Sequence, residues 1–183
     1  MDNELKKNLT QICLELLNEL EKITVNIPYG TCYLLGHCLS EGLRKSGFST
    51  KEVTGHLVLQ DKHRKNIVYG TSKSKGKLVG YYHTWCVLNL GEEIIVDPGL
   101  KYIKMYLKKF LNIKLNERFP DILISNEDYM WYYQYLEDSS LTLQSKFSLN
   151  KLDPNFVNHL ISRVVESTNN LFNKEIQPFR KSA

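Results

Sequence analysis

The sequence predicts an α+β fold in which a thiol-bearing helix packs on an antiparallel β-sheet and a helical extension follows toward the C-terminus. Three observations carry that expectation. Residues 81 to 88 alternate sides with the two-residue period of a strand, and after Asn89-Leu90-Gly91 the chain resumes as Glu92-Glu93-Ile94-Ile95-Val96-Asp97, the pattern of an antiparallel hairpin. Thr31 stands before a run whose apolar positions Leu34, Leu35, Cys38, Leu39, Gly42 and Leu43 share one helical face. A chain of 183 residues is long enough for one α/β core with a helical addition, and short for two comfortable domains.

In chain order, a helix is expected over 3–22 and the thiol-bearing helix over 31–46, closed by Gly47 and Phe48 in the manner of a left-handed C-terminal cap. Strands near 53–60 and 66–71 follow. Gly70-Thr71-Ser72-Lys73-Ser74-Lys75-Gly76-Lys77 imitates a phosphate loop, but it has one residue too many between its glycines, and Leu78 stands where a magnesium-binding Ser or Thr belongs. It reads as a flexible loop. The hairpin of 81–97, a helix over 101–112 and a short aromatic-rich element at 127–137 come next. Residues 154–173 form an amphipathic helix through Phe156, Val157, Leu160, Ile161, Val164, Leu171 and Phe172. Gln177 to Ala183 are expected to fray.

The hairpin places chemistry on one face. Tyr81, His83, Trp85 and Val87 point one way, and a three-residue loop at 89–91 pairs Leu88 with Glu92, which sets His83 directly opposite Asp97. A two-residue Gly91-Glu92 turn would oppose Cys86 to Asp97 instead. Cys32 falls in the first turn of its helix, where unpaired backbone N–H groups and the positive end of the dipole favour thiolate, and its own N–H is free to bind an oxyanion. The order Cys32, His83, Asp97 therefore supplies a nucleophile, a base and a group to orient the base, the set required for acyl transfer through a thioester.

Gly30-Thr31-Cys32-Tyr33, Val53-Thr54-Gly55-His56-Leu57, His83-Thr84-Trp85 and Val96-Asp97-Pro98 together resemble the transglutaminase-like branch of the papain-like cysteine enzymes, over roughly residues 25 to 100. The resemblance implies a papain-like, transglutaminase-like fold with Cys32 as nucleophile, His83 as base and Asp97 as its orienter, and no cofactor. The division expected is a catalytic domain at 1–126, a helical extension packed on it at 127–176, and a tail at 177–183. That superfamily includes peptidases, protein cross-linking enzymes, deamidases and glycan-releasing amidases. Hydrolysis of a protein or peptide amide, as peptidase or deamidase, is the first expectation. The alternatives are an arylamine N-acetyltransferase-like enzyme and an inactive protein-binding module. Where many relatives carry an arginine before the strand's glycine, this chain has Glu52-Val53-Thr54, so Asn26, six positions before the thiol, becomes the candidate side-chain oxyanion donor. Trp85 either shields the dyad from water or simply packs.

The other chemistry-bearing residues read as structure. Cys13, Cys38 and Cys86 are expected in the core as reduced thiols, and no paired ligand spacing supports a metal site. His37, five positions past Cys32, rotates off its side and is expected in solvent. Lys101, Lys104 and Lys108 stack on one side of a helix as a solvated face, and a formal charge of +4 is not the balance of a nucleic-acid binder. The Tyr129-to-Tyr135 run walls a groove or packs. Met1 to Lys7 has no apolar signal core, and no run nears the ~20 apolar residues of a membrane span. The chain is expected to work in the cytoplasm, or in another cell reached without a cleaved signal.

Overall fold

The computed structural model describes residues 1–26 and 28–172. The expected tail at 177–183 and the end of the expected extension, 173–176, lie outside them. Helix α1 spans Asn3–Ile23 and α2 spans Cys32–Lys45. Strands β1 (Ser49–Gln60), β2 (Asn66–Tyr69), β3 (Lys77–Gly80), β4 (His83–Asn89) and β5 (Glu93–Asp97) follow. After helix α3 (Leu100–Leu111) come β6 (Leu123–Ser125), β7 (Tyr129–Met130) and β8 (Tyr133–Glu137). A 3₁₀ turn at Ser139–Leu141, α4 (Thr142–Leu149) and α5 (Pro154–Phe172) complete the order.

The strands form one sheet in the order β3-β2-β1-β4-β5-β6, with β8 paired to β1 and β7 to β8. All pairings are antiparallel except β2 with β3. The fold is thus α+β, as the sequence predicts. Alternation along β4 sends Cys86 and Leu88 into a core built with α1, α2 and α5, and Trp85 and Val87 into a second core with α3 and the tyrosines of β8. Both faces of β4 are therefore buried, in keeping with its apolar run Trp85-Cys86-Val87-Leu88. Among the described residues, no helix is long and apolar enough to cross a membrane.

Two features of α2 fix its place. Gly36 lies so close to β4 that a Cβ there would stand 3.0 Å from Thr84 Cγ2 and 3.2 Å from the Thr84 carbonyl carbon. A side chain there would have to push Thr84 aside by a few tenths of an ångström, so glycine suits the approach. At the other end Gly47, with φ at 93°, lets Gly47 N–H donate to Arg44 O at 3.0 Å and Phe48 N–H to Leu43 O at 3.1 Å. This is the left-handed cap expected at that dipeptide.

The structure differs from the sequence reading in several places. The β4–β5 loop comprises Leu90 to Glu92, so Leu88 pairs with Ile94 and Asn89 with Glu93. The Asn89 side chain accepts the Gly91 N–H at 3.2 Å, which keeps Asn89 in the ladder and moves the turn one residue on. The expected helical extension at 127–176 opens instead with β7 and β8, because β8 completes the sheet against β1 from Gly55 to Leu59. The 70–77 loop is tied down rather than flexible: His56 Nδ1 accepts from Ser74 Oγ at 2.8 Å, while Asp138 accepts from His56 Nε2 at 3.2 Å and Lys73 Nζ at 3.1 Å. His37 is not free in solvent, since its Nδ1 meets Glu52 Oε2 at 2.8 Å. Lys101 and Lys104 are spent on Glu21 and Asp121.

Candidate active site

The site is built where the start of α2 meets the start of β4 and the end of β5. Gly36 holds α2 on Thr84, the neighbour of His83, and one helical turn back from Gly36 is Cys32. Thr31 does not cap the helix with its side chain; its hydroxyl donates to Pro28 O at 2.7 Å instead. Among the described residues no side chain claims the N–H groups of the first turn, which stay available to an anion.

His83 and Asp97 meet although they are not directly opposite. One step beyond the Cys86–Val96 pair, Asp97 falls beside Trp85, and His83 lies on the diagonal. The register is two residues from the expected one, an even slip, so both side chains keep their face. His83 Nε2 donates to Asp97 Oδ2 at 2.6 Å, with the two side chains 0 % and 1 % exposed. The carboxylate takes two further hydrogen bonds, from Tyr135 O–H to Oδ2 at 2.6 Å and from Gly99 N–H to Oδ1 at 2.8 Å. Trp85 stacks on the imidazole with ring centroids 6.0 Å apart and 16° between planes, and Tyr69 and Tyr135 pack at 6.4 and 6.1 Å. Burial, the strongest influence on His83, pulls its pKa down, but the Asp97 charge, the hydrogen bond to Asp97 and the Cys32 thiol together push it up to about 10. At neutral pH it is an imidazolium.

The remaining ring nitrogen, His83 Nδ1, is buried and meets no partner at hydrogen-bond geometry among the described residues, the Cys32 thiol being the group close enough to act on it. An unsatisfied buried polar atom of this kind calls for an explanation. Its surroundings give one: a Cβ on Gly99 would stand 3.1 Å from Asp97 Oδ1, 3.6 Å from His83 Cε1 and 3.7 Å from Cys32 Cα, so all three candidate residues converge on this glycine.

Cys32 and Gly99 line a cleft of about 440 Å³, with His83 and Asp97 in the layer beneath. Its walls are largely phenolic, including Tyr29, Tyr33, Tyr69, Tyr81, Tyr82 and Tyr106, and among the described residues no Asp, Glu, Lys or Arg lines it. Burial first raises the pKa of Tyr33, Tyr69 and Tyr82 above the ordinary tyrosine value; the Cys32 charge adds to it in all three, and in Tyr82 the Ser148 hydrogen bond offsets part of the rise, so these rings stay neutral. Ser148 of α4 closes one side and accepts from Tyr82 O–H at 2.9 Å.

Of the sequence candidates, Cys32, His83 and Asp97 come together and Trp85 packs on the imidazole from the core side. Asn26 is exposed and is not among the described residues that line the cleft with Cys32. Tyr135 was not foreseen, because nothing local marks one tyrosine among many as the partner of a carboxylate 38 positions away. Cys13, Cys38 and Cys86 are buried, as expected.

No family model matches the chain, and no curated protein matches it. A solved structural-genomics target superposes with a TM-score of 0.54 at 9 % identity, over 87 % of this chain and 78 % of that one. At that identity the likeness speaks for the fold alone.

Proposed function

We propose that the chain is a papain-like cysteine enzyme of the transglutaminase-like type, hydrolysing or transferring the acyl group of a protein or peptide amide through a Cys32 thioester. The observation that carries this reading is the convergence of Cys32, the buried His83–Asp97 pair and the unpartnered Nδ1 around Gly99, beneath an open cleft.

The chemistry follows from the charges. His83 is protonated at rest, so its positive charge stabilises a Cys32 thiolate. The thiolate attacks the amide carbon, a C–S bond forms, and the carbonyl electron pair moves to oxygen, where the unclaimed N–H groups at the start of α2 receive it. As the C–N bond breaks, His83 gives its Nδ1 proton to the departing amine. Neutral imidazole then takes a proton from water or an acceptor amine as that nucleophile attacks the thioester, and thiolate leaves. Asp97, held by Tyr135 and Gly99, stabilises the imidazolium at both ends of the cycle.

Intact-mass spectrometry of candidate substrates tests the reading. A gain of about one dalton marks deamidation, joined chains marked by loss of ammonia mark cross-linking, and fragments mark proteolysis. Stoichiometric labelling by iodoacetamide should select Cys32 and depend on His83. A Cys32 no more reactive than Cys38 would sink the proposal.

A further inference from the structure

Strand β3 ends the sheet on its side and is hydrogen-bonded, among the described strands, to β2 alone. Such an edge offers unpaired N–H and C=O groups to any extended chain. β3 also joins two chemically different places. At its start Lys77 pairs with Ile67, and Asn66 Nδ2 donates to Lys75 O at 3.3 Å. At its end Val79 and Gly80 line the cleft, with Tyr81 following. Three strand steps, about 10 Å, separate them.

The start of β3 belongs to a cationic end of the sheet. Asp61 N–H donates to Lys65 O at 3.0 Å, closing the turn that carries Lys62, Arg64 and Lys65, and Lys62 N–H donates to Lys114 O at 2.9 Å. With Lys75 and Lys77 these make six exposed cations, none in an ion pair with a described side chain. The nearby acids are Asp61, whose Oδ1 already accepts two backbone N–H groups, and Glu117, offset by Arg118. This end thus carries about +5 in a chain of formal charge +4, leaving the remainder near −1. Among the described residues, the cleft itself has no charged wall with which to choose a substrate.

We propose that the open edge of β3 is the track along which substrate enters. It takes an extended, acidic stretch of polypeptide as an added strand, sets its carboxylates against Lys75, Lys77 and the β1–β2 turn, and leads the adjoining neutral residues past Tyr81 to Cys32. Lysines on an edge repel basic strands and discourage neutral ones, so the same residues that guard the sheet select the substrate. A nucleic acid would use the cations but not the backbone groups of β3. The inference rests on the thioester reading for what happens in the cleft, and not for the docking.

Fluorescence anisotropy on the full-length Cys32→Ala protein separates docking from turnover. The probes are a labelled peptide of about a dozen residues with a glutamate-rich half and a neutral half containing glutamine, its Glu→Gln counterpart, a version N-methylated at alternate amides, and an oligothymidylate of similar length. The acidic peptide should bind about tenfold more tightly than either altered peptide, weaken with salt, and lose about tenfold on Lys75→Glu/Lys77→Glu. In the wild-type protein it should slow alkylation of Cys32. Equal binding of the peptides, indifference to the charge reversal, or tighter binding of the oligothymidylate overturns the track. Tight, edge-dependent binding beside a Cys32 inert to iodoacetamide overturns the thioester reading and upholds the docking.

Discussion

Alkaline pH should destabilise this protein through His83. The group titrates at about 10 in the folded chain against an ordinary value of 6.5. Its folded pKa is raised, so the native state holds a proton the unfolded state releases, and the resulting stability is complete below about pH 6.5 and gone above about pH 10. Between those limits stability falls by about 1.4 kcal/mol per pH unit, some 5 kcal/mol in all as an upper figure, a large share of what holds a domain together. Urea denaturation midpoints at fixed pH steps from 6 to 10.5 measure it, with m checked for constancy. Burial also raises the pKa of the Cys13, Cys38 and Cys86 thiols, which adds to the alkaline loss in any variant that keeps them. His83→Gln supplies the control, since glutamine offers Asp97 an N–H but no proton to lose. The wild type should lose several kcal/mol more than the variant over this window. Parallel pH profiles for the two proteins would refute the buried imidazolium and with it the resting charge state on which the mechanism depends.

Four substitutions extend the test. Gly99→Ala keeps an accessible backbone, with φ at −70°, but inserts a methyl 3.1 Å from Asp97 Oδ1. The fold should survive a cost of about 1–3 kcal/mol while turnover drops on the order of 100-fold, and unchanged kcat would mean the convergence there is incidental. Tyr135→Phe removes one donor from a buried carboxylate and should cost about 2 kcal/mol in urea denaturation. It should also lower kcat with little change in KM, which a purely structural tyrosine would not do. Cys32→Ala should abolish activity and leave the melting temperature near wild type, whereas the fully buried Cys38→Ala should spare activity at a cost of about 1 kcal/mol; equal loss of activity in two folded variants would defeat the assignment of the nucleophile.

What was legible in the sequence was whatever depends on period and parity. The two-residue alternation of β4 and the apolar stripe of α2 identified the elements and the face of His83, and that face survived a mistaken register because the slip was even. Asn26 and His37 failed for want of information of another kind, since no local pattern says where a chain turns after α1 or that Glu52 on β1 stands within reach of α2. Tyr135 and the cationic end share that origin. The first joins β8 to β5 through β1, and the second gathers the β1–β2 turn, the start of β3 and Lys114 through backbone hydrogen bonds between distant segments. Such residues become visible only once the sheet order is known.

The buried pair also bears on why this arrangement exists. Placing an imidazolium and a carboxylate in the core removes both from water, and well-packed apolar side chains in the same volume are often as stable or more so. Here the carboxylate accepts three hydrogen bonds, so the desolvation of Asp97 is well compensated. The imidazole is not: among the described residues Nδ1 meets no partner at hydrogen-bond geometry while three aromatic rings enclose it. A histidine kept only for packing would gain by turning both nitrogens to acceptors or by giving way to an apolar residue. Orientation of one proton toward the thiol side, with the other fixed on Asp97, is instead what a proton donor to a departing amine requires. An ordered side-chain or backbone partner for Nδ1 in a high-resolution crystal structure, away from Cys32, would remove this argument; a Cys32 sulfur within reach of Nδ1 would uphold it.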